Sequence, residues 1–168
     1  DWLIEVVNPT DRYTISGIGY GLEGQVHHAA GTAASIDAAI LPYLLASDAN
    51  LVNGKVVGDP TEGALLVLAY KTGMDIDETR ERLPRLATLP FDPTYKLMAT
   101  FHTALGASGR PVVRCFVKGA APAVMARAAS ALSGGTSVPW DDDLEERHQG
   151  HVERMEGEGR RVMAAATR

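Results

Sequence analysis

A lone cysteine, Cys115, rules out an internal disulfide and favours a reducing compartment. No apolar run approaches the ~20 residues needed to span a bilayer, and no signal peptide is visible. Positive charge is not in excess. A formal net charge of −5 argues against general affinity for nucleic acid or anionic membranes, while leaving room for a local basic pocket. Several chemical signatures are missing as well. There is no G-x-x-x-x-G-K-[ST] phosphate loop and no G-x-S-x-G elbow. Cys115 sits in an apolar strand pattern, not at a helix N-terminus, so the chain offers no convincing catalytic nucleophile. What remains is an ordinary globular composition, 45% apolar and 22% charged. At 168 residues it reads as one domain with a real core. The abrupt start at Asp1-Trp2 and the apolar, strand-like end fit a domain excised from something longer.

Residues 3–7 and 13–18 read as short strands around an Asn8-Pro9-Thr10-Asp11 turn, followed by a glycine-rich loop at 17–24. A helix is expected over 32–45, with Pro42 kinking or breaking it. Asn53-Gly54 between β-branched residues signals a hairpin at 51–58. In "GDPTEGALL" (58–66), Asp59 is a cap, Pro60 suits the first helical position and Glu62 completes a capping box. That helix runs to about Lys71, and its stretch 64–69 is apolar on every side, hence buried. A short charged helix at 75–83 precedes candidate strands at 87–91, 97–102 and 112–117. Helices at 121–129 and 141–156 and a closing strand at 161–166 complete the chain. Strand runs joined as hairpins and alternating with helices predict an α/β or α+β fold. Its sheet is largely antiparallel and flanked by helices.

"GYGLEG" (19–24) matches G-x-G-x-x-G, but no amphipathic helix follows and the next strand pattern is a hairpin, so a turn is the better reading. His27-His28 lack further ligands at metal spacing and read as loop histidines. "DDD" (141–143) lacks the glycine and spaced oxygens of a calcium loop and reads as a solvated helix start. "PFDPTYKLMAT" (90–100) is more telling, because Phe91 and Lys96 fall at neighbouring strand ends. "CFVKGAAPAVM" (115–125) repeats the arrangement with Lys118, then Gly119 for a turn. Either lysine alone is a solvated strand end. Two of them with an aromatic on one sheet edge suit a flat base and a phosphate. In "GEGRRVMAAATR" (157–168), Arg160 and Arg161 precede an apolar strand, and at most one would face a shared site.

In this order, "GDPTEGALL", "PFDPTYKLMAT", "FVKGAAPAVM" and "GEGRRVMAAATR" resemble the nucleotide-binding domain of a cation-transporting P-type ATPase. "YTISGIGYGLEGQV" resembles the early strand and loop of the same domain, so the likeness covers nearly the whole chain. The motifs are nearest in form to pumps for Ca²⁺, Na⁺/K⁺ or H⁺, and the histidine-containing motif of heavy-metal pumps has no match. Calcium is a guess from that motif class alone. The resemblance implies that residues 1–168 are one cytosolic domain of an integral membrane pump, in the plasma membrane if bacterial. It implies ATP as ligand, with Mg²⁺ carried on the phosphates, and a monomeric domain. It implies phosphorylation, actuator and transmembrane domains of the same chain as partners, and no nucleic acid. Phe91 would stack on adenine, with Glu62 and Lys96 near the base. Lys118 would line the pocket beside Gly119 and Ala120. Arg161 would approach the phosphates, and Met163 would cover the base. Family members often carry an arginine two residues after the aromatic, where this chain has Pro93, so Arg160 or Arg114 is a candidate substitute. The family's Asp-Lys-Thr-Gly-Thr phosphorylation motif does not occur, so the resemblance implies binding without hydrolysis. Two other readings stay open: a stand-alone small-molecule or regulatory module, and a protein-interaction domain.

Overall fold

The computed structural model describes residues 5–32, 35–133 and 135–168. Every strand pair among them is antiparallel. Strands β1 (Glu5–Val7), β2 (Asp11–Ile15) and β3 (Val26–Gly31) form a three-stranded meander. Helix α1 (Asp37–Leu45) leads into a hairpin of β4 (Asn50–Val52) and β5 (Lys55–Val57). The hairpin turns on Asn53 and Gly54, both at positive φ (50° and 74°), which the tight two-residue turn requires. Helix α2 (Pro60–Lys71) follows, then α3 (Ile76–Arg82). Strands β6 (Arg85–Asp92), β7 (Leu97–Leu105) and β8 (Pro111–Ala120) make a second meander. The chain then passes through α4 (Ala121–Met125), the hairpin β9 (Ser130–Ser133) and β10 (Thr136–Pro139), and α5 (Asp142–Gly157). Finally β11 (Met163–Thr167) returns beside β8, giving a four-stranded sheet of order β11-β8-β7-β6.

Helix α2 forms the centre because Gly63 to Ala69 are all buried. Its Leu66 and Leu68 pack with Ile40 and Leu44 of α1 and with Tyr13 and Ile15 of the first meander. The opposite side of α1 turns Leu45 onto Phe116 of β8, which is fully buried beside Ala46, Leu41 and Leu83. A third cluster joins Ala121 and Met125 to Val152, so α4 and α5 close over the β11 end of the sheet. Helix α1 thus packs on α2 with one side and on the four-stranded sheet with the other. That places the first turn of α2 opposite the last residues of β8.

Several local expectations are corrected. Pro42 lies inside α1 without breaking it, since the carbonyl it leaves unbonded belongs to exposed Ala38. Residues 26–31 are a strand, not loop, and His28 Nε2 meets buried Asp11 at 2.8 Å. Helix α4 stops at Met125 instead of running to 129, and 130–133 pair with 136–139 in a hairpin that was not among the expected elements. The last strand begins at Met163, so Arg161 precedes it. Residues 3 and 4 of the first expected strand, and 33–34 of the first expected helix, lie outside the described residues. The glycine-rich 17–24 is indeed a loop, clamped where Ser16 N donates to Gln25 O (2.9 Å) and Gln25 N to Ser16 Oγ (2.8 Å). It joins antiparallel strands, unlike a dinucleotide-binding turn.

Candidate functional site

One row of paired residues crosses the four-stranded sheet near its end: Asp92, Leu97, Gly119 and Ala164. Phe91, Lys96, Ala120 and Met163 lie one residue from that row, and Ala120 pairs with Met163 directly. Antiparallel pairing thus gathers residues from four separate segments at one sheet end. Glu62 and Thr61 approach the same end from the first turn of α2.

Glu62 makes the decisive contact. Its Oε1 receives Lys118 Nζ at 2.9 Å, and its Oε2 receives the backbone N–H of Asp48 at 2.9 Å. The side chains of Lys118 and Glu62 are 6% and 14% exposed, so this is a nearly buried ion pair at the foot of the sheet. Asp59 Oδ1 accepts Glu62 N at 3.0 Å, so the helix cap is real. The reciprocal half of the expected capping box is absent, because both carboxylate oxygens of Glu62 are turned to Lys118 and Asp48. Lys118 retains two further N–H donors beyond the one given to Glu62.

Phe91 and Lys96 stand outside this pair. Phe91 is 60% exposed, a large flat ring left uncovered at the sheet edge. Lys96 is exposed in the turn before β7, not at the strand's start, with φ +56°. Asp92 Oδ1 shapes that turn by accepting from the N–H groups of Thr94 (2.7 Å) and Tyr95 (3.2 Å). Lys96 O then accepts Ala120 N at 3.0 Å, locking the turn to β8. Gly119 and Ala120 therefore belong to the strand. Gly119 is needed for close approach rather than a turn, since a Cβ there would lie 2.3 Å from Lys96 O. Its missing side chain is what lets the Lys96 turn sit against β8.

Arg161 is exposed and donates to Thr61 Oγ1 at 2.8 Å, beside Glu62 on α2. Met163 is half-buried at the start of β11. The two arginines considered in place of Pro93 are elsewhere. Arg114 is five residues back along β8 from Gly119, about 17 Å at strand spacing. Arg160 is bound by Glu5 and Glu158. Glu5, whose side chain is 2% exposed, also receives Arg12 Nε (2.7 Å) and Arg154 Nη2 (2.6 Å). Burial alone would raise its carboxyl, but Arg154 and Arg12 outweigh that and hold it at about 2.

The site thus offers an uncovered aromatic face, two lysines and an arginine against the carboxylates of Glu62 and Asp92, the second engaged by its own turn. That set suits a ligand with a flat ring and an anionic tail. No group of three or more His, Cys, Asp or Glu among the described residues is arranged for a metal. A cavity of about 860 Å³ borders the site between α1, α2, α4, α5 and β11, lined by Thr61, Leu41, Phe116, Met125, Trp140 and Val152. It reaches Arg161 and Met163 but none of Glu62, Phe91, Lys96 and Lys118.

The family model for the P-type ATPase cytoplasmic domain N matches residues 35–168. This chain belongs to that family. The N domain is 33% identical over 92% of its length to Cation-transporting ATPase pma1 of Synechocystis sp., covering 18% of that protein. It is 30% identical over 91% of its length to Calcium-transporting ATPase type 2C member 1 of Mus musculus, covering 17% of it. Calcium-transporting ATPase 1 of Lactococcus lactis is 34% identical over 67% of the chain and 12% of the relative. The N domain therefore spans less than a fifth of these relatives. Among its described residues, no helix is long and apolar enough to cross a membrane. Sequence reasoning missed Asp48 and Thr61. Thr61 lies inside "GDPTEGALL" but carries no signal beyond the helix start, and Asp48 stands in no motif and reaches Glu62 only by folding.

Proposed function

We infer that this N domain binds ATP and presents its γ-phosphate to an aspartate on a separate domain of a cation-transporting pump. The observation that carries the reading is the nearly buried Glu62–Lys118 pair beside uncovered Phe91 and exposed Lys96, in a chain of this family. Adenine stacks on Phe91, while Lys96 and Lys118 supply ammonium groups to the base edge or phosphate. Gly119 and Ala120 form the floor by holding the Lys96 turn in place, and Met163 borders it from β11. Arg161, tied among the described residues only through Thr61 Oγ1, swings toward the phosphates, with Mg²⁺ carried on them. The domain's share of catalysis is positioning, because the family's phosphorylation motif does not occur in residues 1–168 and the acceptor belongs to a separate domain. In the pump it acts on the cytoplasmic side with phosphorylation, actuator and membrane domains. Alone it is a monomer, spans residues 1–168, and binds ATP weakly at an open cleft.

Titration with ATP, ADP and GTP, followed by NMR, tests this. Saturable, adenine-preferring shifts at Phe91, Glu62 and Lys118 are expected. Phe91→Ala should weaken ATP binding by about 1–3 kcal/mol, the worth of a base stacked on an aromatic ring. Its melting temperature should not move, since the ring is already exposed. No perturbation at these residues at millimolar ATP would remove the reading. Stable labelling of an aspartate in this chain by ATP would contradict its role as a presenting domain.

A further inference from the structure

We propose that Arg85, seconded by Arg80, is a positioning residue for the nucleotide site, acting through the connection at 46–49 to aim the Asp48 amide at Glu62. The inference rests on the reading above that Glu62 and Lys118 belong to that site.

The link begins with an unusual connection. Between α1 and β4 the chain does not run over the surface. Ala46, Ser47 and Ala49 are 0–1% exposed, and Asp48 alone is exposed. A buried connection must find partners for its backbone polar groups. Two guanidinium groups provide them. Arg85 Nη2 donates to Leu45 O (2.9 Å) and Ser47 O (3.1 Å), while its Nη1 pairs with Asp48 Oδ1. Arg80 Nη2 donates to Ala49 O (2.8 Å) and Ser47 O (3.3 Å), and its Nη1 to Asn50 Oδ1 (2.8 Å). The carbonyls on both sides of Asp48 are thus fixed, and its N–H is left pointing at Glu62 Oε2. That bond holds one oxygen of Glu62, so the other meets Lys118 at a set position.

The chemistry requires arginine. A guanidinium offers several donors in one rigid plane and spans carbonyls two residues apart, whereas an ammonium is a single point of contact. Two like charges side by side also need a reason to stay together. Burial and the neighbouring Arg85 both lower the Arg80 pKa, the carboxylates of Asp77, Asp48 and Glu62 act against them, and both guanidiniums share the Ser47 carbonyl. A cavity of about 260 Å³ bounded by Ser47, Asp48, Arg80, Arg85 and His102 gives a shortened side chain room to collapse. Losing the fork should therefore release the connection without disrupting the core.

Arg85→Lys, which keeps the charge and loses the fork, is the test, with Arg85→Gln as a second variant. In the domain without nucleotide, the Asp48 amide proton resonance should move upfield in both, as its bond to the carboxylate loosens. Far-ultraviolet circular dichroism should be unchanged in Arg85→Lys. The ATP dissociation constant should rise about fivefold, the scale of one lost supporting contact. In a Glu62→Gln background the same substitution should change it by less than about twofold, because both changes act through one carboxylate. An unmoved Asp48 amide, or an equal loss of affinity in both backgrounds, would overturn the proposal. So would native ATP affinity in Arg85→Lys, with the nucleotide reading left standing. If the unsubstituted domain does not bind ATP, the nucleotide reading fails and the assignment of Arg85 to it fails too.

Discussion

Two glutamates are withdrawn from water in this domain, and they are held in opposite ways. Glu5 meets three guanidinium groups, from Arg12, Arg154 and Arg160, with both oxygens occupied by rigid planar donors. Glu62 meets one flexible ammonium and one backbone amide. The first arrangement is saturated. It ties β1 and β2 to α5 and the segment before β11, and its loss leaves several cations facing each other. The second has two unused ammonium protons and an uncovered aromatic beside it. Burial of a charge alone does not separate a structural tie from a binding site. The difference lies in what the partner has left to give.

The largest effect should come from Glu5→Gln. Leaving three arginines without their carboxylate should cost about 3 kcal/mol, reduced somewhat because the guanidiniums are partly exposed. Urea unfolding at neutral pH measures it, and ATP affinity of the folded variant should be unchanged. The same residue governs acid stability. Its folded carboxyl is depressed from 4.5 to about 2, so the contribution is whole above pH 4.5 and is lost as pH falls toward 2. Unfolding midpoints across that window should fall steeply in the native protein and less in Glu5→Gln.

Glu62→Gln should do the reverse. The cap survives because Asp59 and the Glu62 backbone make it, and Gln still offers Lys118 an oxygen. Stability should drop by only about 1 kcal/mol, while ATP binding changes measurably by calorimetry. Equal stability losses for Glu5→Gln and Glu62→Gln would collapse the distinction between the two carboxylates.

The smallest effect belongs to histidine. Burial lowers the pKa of His102 and of His151, with Arg85 acting further on the first and Arg154 on the second. Both folded values lie below the ordinary 6.5, so the unfolded chain takes protons first. Stability should be full above pH 6.5 and decline as pH falls below it, before the Glu5 window opens. His102→Gln should flatten part of that early decline, as followed by thermal melts between pH 7 and 5.

Much of this was legible from local chemistry. Asp59-Pro60 announced α2, Asn53-Gly54 announced the β4–β5 turn, and the apolar stretch in α2 announced its burial. Each signal lies within a few residues of what it dictates. Strand β3 was not legible, because "VHHAAG" has little β-branched content and is a strand only through its pairing with β2. The β9–β10 hairpin did carry a turn signal, Gly134-Gly135, but its flanking runs are only four residues each and rich in serine, so sequence reasoning missed it. At the site, the motifs named Glu62 and Lys118, but their ion pair joins residues 56 apart. The capping box was half right, since no local rule shows that Lys118 and Asp48 outcompete the Asp59 amide for Glu62. Arg80 falls on an expected charged helix and Arg85 between that helix and the next expected strand, and neither carries a signal beyond its charge.

The Glu5 cluster also bears on the order of events during folding. Arg154 and Arg160 lie 149 and 155 residues from Glu5 along the chain. Closing so long a loop carries a high entropic cost, met only after the nearer hairpins have formed. The cluster is therefore a late contact, consolidated on the native side of the barrier. Its loss should show chiefly as faster unfolding, with the refolding rate little changed. The tie that joins the two ends of the described chain acts as a latch on escape and contributes little to the search.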